Sequence, residues 1–261
     1  MSNGLKALVV VEGEKSEKAF FDSMNNCLGL SFQICPFKAN VYELWYKMKE
    51  SDFTLNINEA LIEKYPDEKD LLSCEYAYYY LVFDMDPQHR STNDKSDLIS
   101  LAHKNIATLK DVTKYCVDET DPTVGKVYIN YPMFESYRCC DCFGDESYKD
   151  EFIKIEDVKQ FKNYCSSKRI AGVQLTNYKD ENFFSLIKYN IFKLGVLYNS
   201  EWGCCSYDDY LLRSNQTSVL NMEEQFMNND YQIAVINTSL FLVIDYYGNN
   251  NGYFDHIMND V

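Results

Sequence analysis

Two short apolar runs, the first interrupted only by Lys6, that each stop at an acidic residue constrain this chain more than any other feature. Leu5 to Val11 reads LKALVVV and stops at Glu12-Gly13, while Tyr78 to Phe83 reads YYYLVF and runs into Asp84-Met85-Asp86-Pro87. Neither run alternates between apolar and polar residues, so neither can keep one face in water. Each is therefore expected to be a strand buried on both faces, as in a parallel sheet covered by helices.

Helical periodicity fills the intervals. Phe20, Met24, Cys27 and Leu28 share one face of a helix after the first strand, with Lys15, Glu17 and Lys18 pointing outward or toward the strand end. Ser31 to Cys35 reads as a second strand ended by Pro36, followed by helices over Val41 to Lys49 and Asn56 to Tyr65. After the YYYLVF strand, a helix is expected over Asp94 to Tyr115, with Leu98, Leu101, Ile106, Leu109 and Val112 inward. Lys126 to Asn130 reads as a third strong strand ended by Tyr131-Pro132, and Met133 to Cys140 as the start of a helix. The alternation predicts an α/β domain over residues 1–145 with a mainly parallel sheet flanked by helices. From residue 146 to 261 helical spacing dominates: Val158, Phe161 and Cys165, then Phe184, Ile187, Ile191 and Leu194, then Ser218 to Met227. Ile233 to Tyr247 has the length of a buried helix rather than a strand. This part is expected to be a mostly helical cap or extension.

Composition narrows the function classes. A formal charge of −15 argues against a chain that grips long stretches of nucleic acid unaided, because such binders neutralise phosphates with Lys and Arg. An acidic chain can still cut nucleic acid if metal ions bridge its carboxylates to the phosphate, or if a partner lends a basic surface. Only three histidines, His89, His103 and His256, accompany ten scattered cysteines. Reduced thiols, some of them interior such as Cys27 and Cys165, are expected over a structural zinc, even at the tight group Cys139, Cys140 and Cys142. Without a membrane-length apolar stretch, and with Met1 to Lys6 unlike a signal peptide, a soluble cytoplasmic protein is expected.

Three acidic positions follow strands: Glu12, the pair Asp84 and Asp86, and Glu135 just past the third strong strand. The carboxyl ends of parallel strands share one edge, where ligands bind. Carboxylates gathered there repel one another, and a divalent cation relieves that repulsion. The plainer alternative is that each is a solvated loop acid. The order of the motifs, V-V-V-E-G and then V-F-D-M-D, argues for more.

That order resembles the Toprim class. Val9 to Glu17 (VVVEGEKSE) looks like the E-G-x-[TS]-E opening motif of overcoming-lysogenization-defect nucleases and RloB-like proteins. Leu81 to Asp86 (LVFDMD) resembles the second motif, a strand ending in D-x-D, and Ile129 to Tyr137 (INYPMFESY) is similar to the N-P-x-x-E-x-[WY] segment of RloB-like proteins. The resemblance covers roughly residues 5 to 140. It implies that Glu12 binds metal or transfers protons, that Asp84 and Asp86 bind metal, and that Glu17 and Glu135 support a metal. It further implies Mg²⁺- or Mn²⁺-dependent cleavage of DNA or RNA in antiphage defence. No P-loop accompanies these motifs, so an ATPase or other defence subunit would be a separate partner. Lys15, His89 and Arg90 are candidate substrate-binding residues beside these motifs, each with a solvated-loop alternative. A non-catalytic Toprim-like binding or assembly module is the second reading.

Overall fold

A computed structural model of the chain describes residues 5–90, 96–140, 146–168, 175–248 and 252–259. Residues 1–4 of the opening segment, Asp94 at the start of one expected helix, and Cys142 lie outside them. The chain divides into two compact units, Met1–Phe83 with Asp111–Tyr128, and Asp84–Lys110 with Ile129–Val261. This division follows contacts rather than chain order, so it differs from a linear boundary at 145.

The first unit holds a five-stranded, mostly parallel sheet in the order β2-β1-β3-β5-β4. Strand β1 (Ala7–Val11) lies between β2 (Phe32–Pro36) and β3 (Tyr78–Asp84), parallel to both. All five β1 residues are buried, as the unbroken apolar run requires. Between β1 and β2 lies α1 (Ser16–Leu28), which turns inward Phe20, Phe21 and Met24 and stops at Gly29 with φ +62°. Next come α2 (Val41–Glu50) and α3 (Ile57–Lys64), each begun by an asparagine whose side chain accepts a first-turn N–H, from Glu43 at Asn40 and from Asn58 at Asn56. A single turn, α4 (Lys69–Leu72), precedes β3. Helix α5 (Leu98–Tyr115) leads to a two-residue edge strand, β4 (Val117–Asp118), antiparallel to β5 (Gly125–Asn130). Gly125 begins β5 at φ +64°, and a Cβ there would press to 3.1 Å of the Leu81 side chain, so both conformation and space call for glycine. The last residue of β3 and the last two of β5 belong to the second unit.

That second unit is mostly helical. It contains α6 (Phe161–Lys168), α7 (Asp180–Leu197), α8 (Tyr207–Arg213), α9 (Gln216–Asp230), α10 (Leu242–Tyr247) and α11 (Tyr253–Asn259). A small antiparallel sheet of β6 (Phe152–Lys154) and β7 (Gln232–Ala234) interrupts the helices. The apolar run Ile233 to Tyr247 is therefore not one helix: it opens in β7 and becomes helical only from Thr238. Its polar trio Asn237, Thr238 and Ser239, fully buried, bonds to other segments of the unit where the run passes from β7 into a 3-10 turn. Among the described residues no helix is long and apolar enough to cross a membrane.

Candidate functional site

In the first unit, Val11 pairs with Val82 across β1 and β3, so the two strands reach the same end of the sheet together. Glu12 follows Val11 directly and is half-buried. Its carbonyl accepts the Lys38 N–H at 3.1 Å, which ties the strand exit to the segment after β2. Glu17 does not face solvent as its helix-start position suggests. It is 5% exposed, and its carboxylate lies so close over Gly13 that a Cβ there would collide with it. Glycine at 13 is thus what lets the Glu17 carboxylate fold back toward the strand end. Lys15 is exposed at the start of α1, while its neighbour Glu14 is paired with Lys38.

In the second unit, the Asp84-Met85-Asp86 turn is laced to the segment after β5. The Asp84 carboxylate accepts the Phe134 N–H at 2.7 Å, Met85 N–H donates to Asn130 O at 3.0 Å, and Asp86 N–H donates to Pro132 O at 3.3 Å. Asp86 sits at φ +37°, a left-handed conformation that non-glycine residues adopt at a cost and that surrounding contacts must hold. Burial pushes its carboxyl up from the ordinary carboxylate range, opposed by the positive fields of His89 and Lys162. The turn continues through His89, whose N–H donates to Asp86 O at 2.9 Å. Asn105 clamps it by donating to Pro87 O and His89 O. Arg90 is exposed and donates to Ser96 O at 2.9 Å.

Glu135 is 7% exposed, with Oε1 3.2 Å from Lys162 Nζ. Its Oε2 and the Ser136 Oγ are buried without a hydrogen-bond partner. The segment carrying them, Phe134–Arg138, is a 3-10 helix rather than the expected α-helix. Part of the reason is that the Phe134 carbonyl, which would accept an i+4 N–H, is taken by Asn237 Nδ2 at 2.8 Å. Asn237 is held in turn by Asn190 Oδ1, which accepts its N–H, and by Ser239 Oγ, which donates to its Oδ1 at 2.6 Å. Ser239 N–H donates to Asn130 Oδ1, and Thr238 Oγ1 donates to Ile129 O. A buried polar network thus fixes the 129–134 segment, which fixes the D-x-D turn.

Beside that turn lies a cleft of about 240 Å³, lined by Asp86, Gln88, Met133, Lys159 and Lys162 among others. Sequence reading missed both lysines and the asparagine network. The signal available for the network was three polar residues inside an apolar run; the lysines carried none. Cys27 is only half-buried, whereas Cys139 and Cys165 are buried with their sulfurs 3.4 Å apart. Among the described residues, no three His, Cys, Asp or Glu side chains converge closely enough to form a metal-ion shell. Set against protein-family models, curated proteins and solved structures, the chain finds no match in any of the three.

Proposed function

We propose that this chain is a Toprim-type, Mg²⁺- or Mn²⁺-dependent nuclease that hydrolyses phosphodiesters of DNA or RNA in cytoplasmic antiphage defence. The observation that carries the reading is the D-x-D turn of the second unit. The Asp84 carboxylate is held by the Phe134 N–H, Asp86 is held through its backbone at a positive φ, and the same unit buries the partnerless Glu135 Oε2. Buried carboxylate oxygens without protein donors suit hard divalent cations, which take oxygen ligands. Asp84, Asp86 and Glu135 in the second unit, and Glu12 with Glu17 in the first, are the carboxylates that would supply oxygen ligands to such an ion, with phosphate and water oxygens completing its shell. A bound divalent ion would polarise the phosphoryl group and favour ionisation of water. The chain's own contribution is orientation: the Phe134 N–H aims the Asp84 carboxylate, and Lys162 offsets the charge of Glu135.

The charge of −15 favours the second reading, a non-catalytic module that works with an ATPase or another defence subunit. One experiment separates them. Purified protein is incubated with plasmid, single-stranded DNA and tRNA in Mg²⁺ or Mn²⁺, beside Glu12→Ala and Asp84→Ala. Cleavage lost in both folded variants supports the nuclease. No cleavage and no metal binding by calorimetry, with a stable partner complex, supports the module.

A further inference from the structure

The cleft in the second unit answers a question the nuclease reading leaves open, namely which form of nucleic acid it takes. Its polar lining is uneven. Lys159 and Lys162, three residues apart where a 3-10 helix (Ile155–Gln160) passes into α6, both line the cleft, and Asp86 does so as well. Lys162 Nζ rests 3.2 Å from Glu135, yet its side chain is 66% exposed and can reach solvent. Against the carboxylates of Asp86 and Glu135, two ammonium groups at one small cleft relieve locally the repulsion that a chain of net charge −15 offers an anion. Gln88 adds a directional group. Its Nε2 donates to Ile155 O at 2.5 Å, which orients the amide, and its buried Oε1 has no hydrogen-bond partner. That oxygen calls for a donor, as a sugar hydroxyl or base N–H would supply. Met133 and Val158 give the cleft an apolar wall.

At about 240 Å³ the space lies below the 300–1,000 Å³ of most small-molecule sites. It has room for part of one nucleotide, and the paired, stacked bases of a duplex cannot enter it. We infer that the cleft seats one nucleotide unit of an unpaired strand, with Lys159 and Lys162 on its phosphate and Gln88 Oε1 accepting from its sugar or base. The inference rests on the nuclease reading in one respect: the Asp86 carboxylate in the same cleft tolerates the phosphate when a divalent cation lies between them.

Fluorescence anisotropy tests it, with 5′-phosphorylated hexathymidylate and a blunt duplex as probes, in Ca²⁺ and over a series of KCl concentrations. The single strand is expected to bind at least about tenfold more tightly than the duplex. The Lys159→Gln/Lys162→Gln variant loses at least about tenfold in affinity, and its salt slope falls by about 0.7 per lysine that neutralises a phosphate. Gln88→Leu weakens binding without altering that slope, and because it also removes the bond to Ile155 O, its thermal unfolding is read beside the parent's: weakening at an unchanged Tm is expected. Equal binding of duplex and single strand overturns the inference, as does an unchanged affinity and slope in the double lysine variant. Cleavage in Mg²⁺ or Mn²⁺ separates it from the nuclease reading. If wild type binds the hexamer through the lysines but never cleaves, the cleft stands and the nuclease reading falls. If it cleaves, and the double variant does so with unchanged KM, the nuclease reading stands and the cleft falls.

Discussion

Asp84 has two duties in this structure, and a pair of substitutions separates them. Its carboxylate accepts the N–H of Phe134, a residue 1% exposed, so that N–H has little access to water if the acceptor is removed. Asp84→Ala leaves the donor unsatisfied, at a cost of about 1–3 kcal/mol. At roughly 2–4 °C per kcal/mol for a chain of this size, Tm should fall by about 2–12 °C. Asp84→Asn retains an oxygen acceptor in the same place and exchanges a charged hydrogen bond for a neutral one. It should therefore stay within about 1 kcal/mol of the parent. For metal the ranking differs, because an amide lacks the charge that holds a divalent ion, and Asn fails nearly as completely as Ala. Differential scanning fluorimetry with and without 5 to 10 equivalents (about) of Mn²⁺, alongside calorimetric titration, reads both effects. An Asp84→Asn chain that melts as low as Asp84→Ala would refute the hydrogen-bond assignment. One that keeps parental Mn²⁺ binding would refute the metal role.

Further outcomes follow from buried polar groups elsewhere. Asn237→Leu strands the Phe134 carbonyl and the Ser239 hydroxyl, so it should cost about 2–6 kcal/mol by thermal or urea unfolding, and an unaltered transition would remove the network from the account. Gly13→Ala meets only the end of the flexible Glu17 side chain, so it should displace that carboxylate at a cost of about 1 kcal/mol or less, and a loss of more than about 3 kcal/mol by thermal unfolding would show that Glu17 cannot give way. Burial holds Glu223 up to about 8 and Lys193 down to about 8. A raised carboxyl contributes stability that is complete below its unfolded value near 4.5 and is lost as pH rises through about 8, so Glu223→Gln should gain on the parent between pH 5 and 8. A Tm difference that stays flat across that range would contradict the burial of a protonated Glu223. Alkylation of the native protein should label the exposed Cys204 well before Cys139 or Cys165, and equal labelling in a mass-spectrometric time course would show those two are not buried together.

Much of the frame was legible because it depends on local sequence alone. The two apolar runs are the buried strands β1 and β3; β3 runs one residue past its expected end, and β1 starts two residues later than expected, because Leu5 and Lys6 are exposed. Helical periodicity placed α2 and α3 within a residue of their bounds, where the Asn40 and Asn56 side chains cap the first turns. Errors came where side chains bond across long distances. Periodicity extended a helix through Met133 to Cys140 and through Ile233 to Tyr247, but the polar groups of Asn237, Thr238 and Ser239 bind the 129–134 segment instead. No window of local sequence carries that pairing, because its partners lie more than a hundred residues apart.

The acidic residues at the strand ends divide the same way. Sequence by itself determined that Glu12, Asp84 and Asp86 end buried strands, since a carboxylate must leave the apolar interior where the run stops. It also marked the chain as too acidic to hold nucleic acid by charge alone. Only the tertiary structure decided that Glu17 turns inward over Gly13, that Asp84 is aimed by the Phe134 N–H, and that Lys159 and Lys162 share a cleft with Asp86. Each of these is a contact between side chains and segments whose proximity comes from packing, and packing is settled by the whole fold rather than by neighbours in the chain.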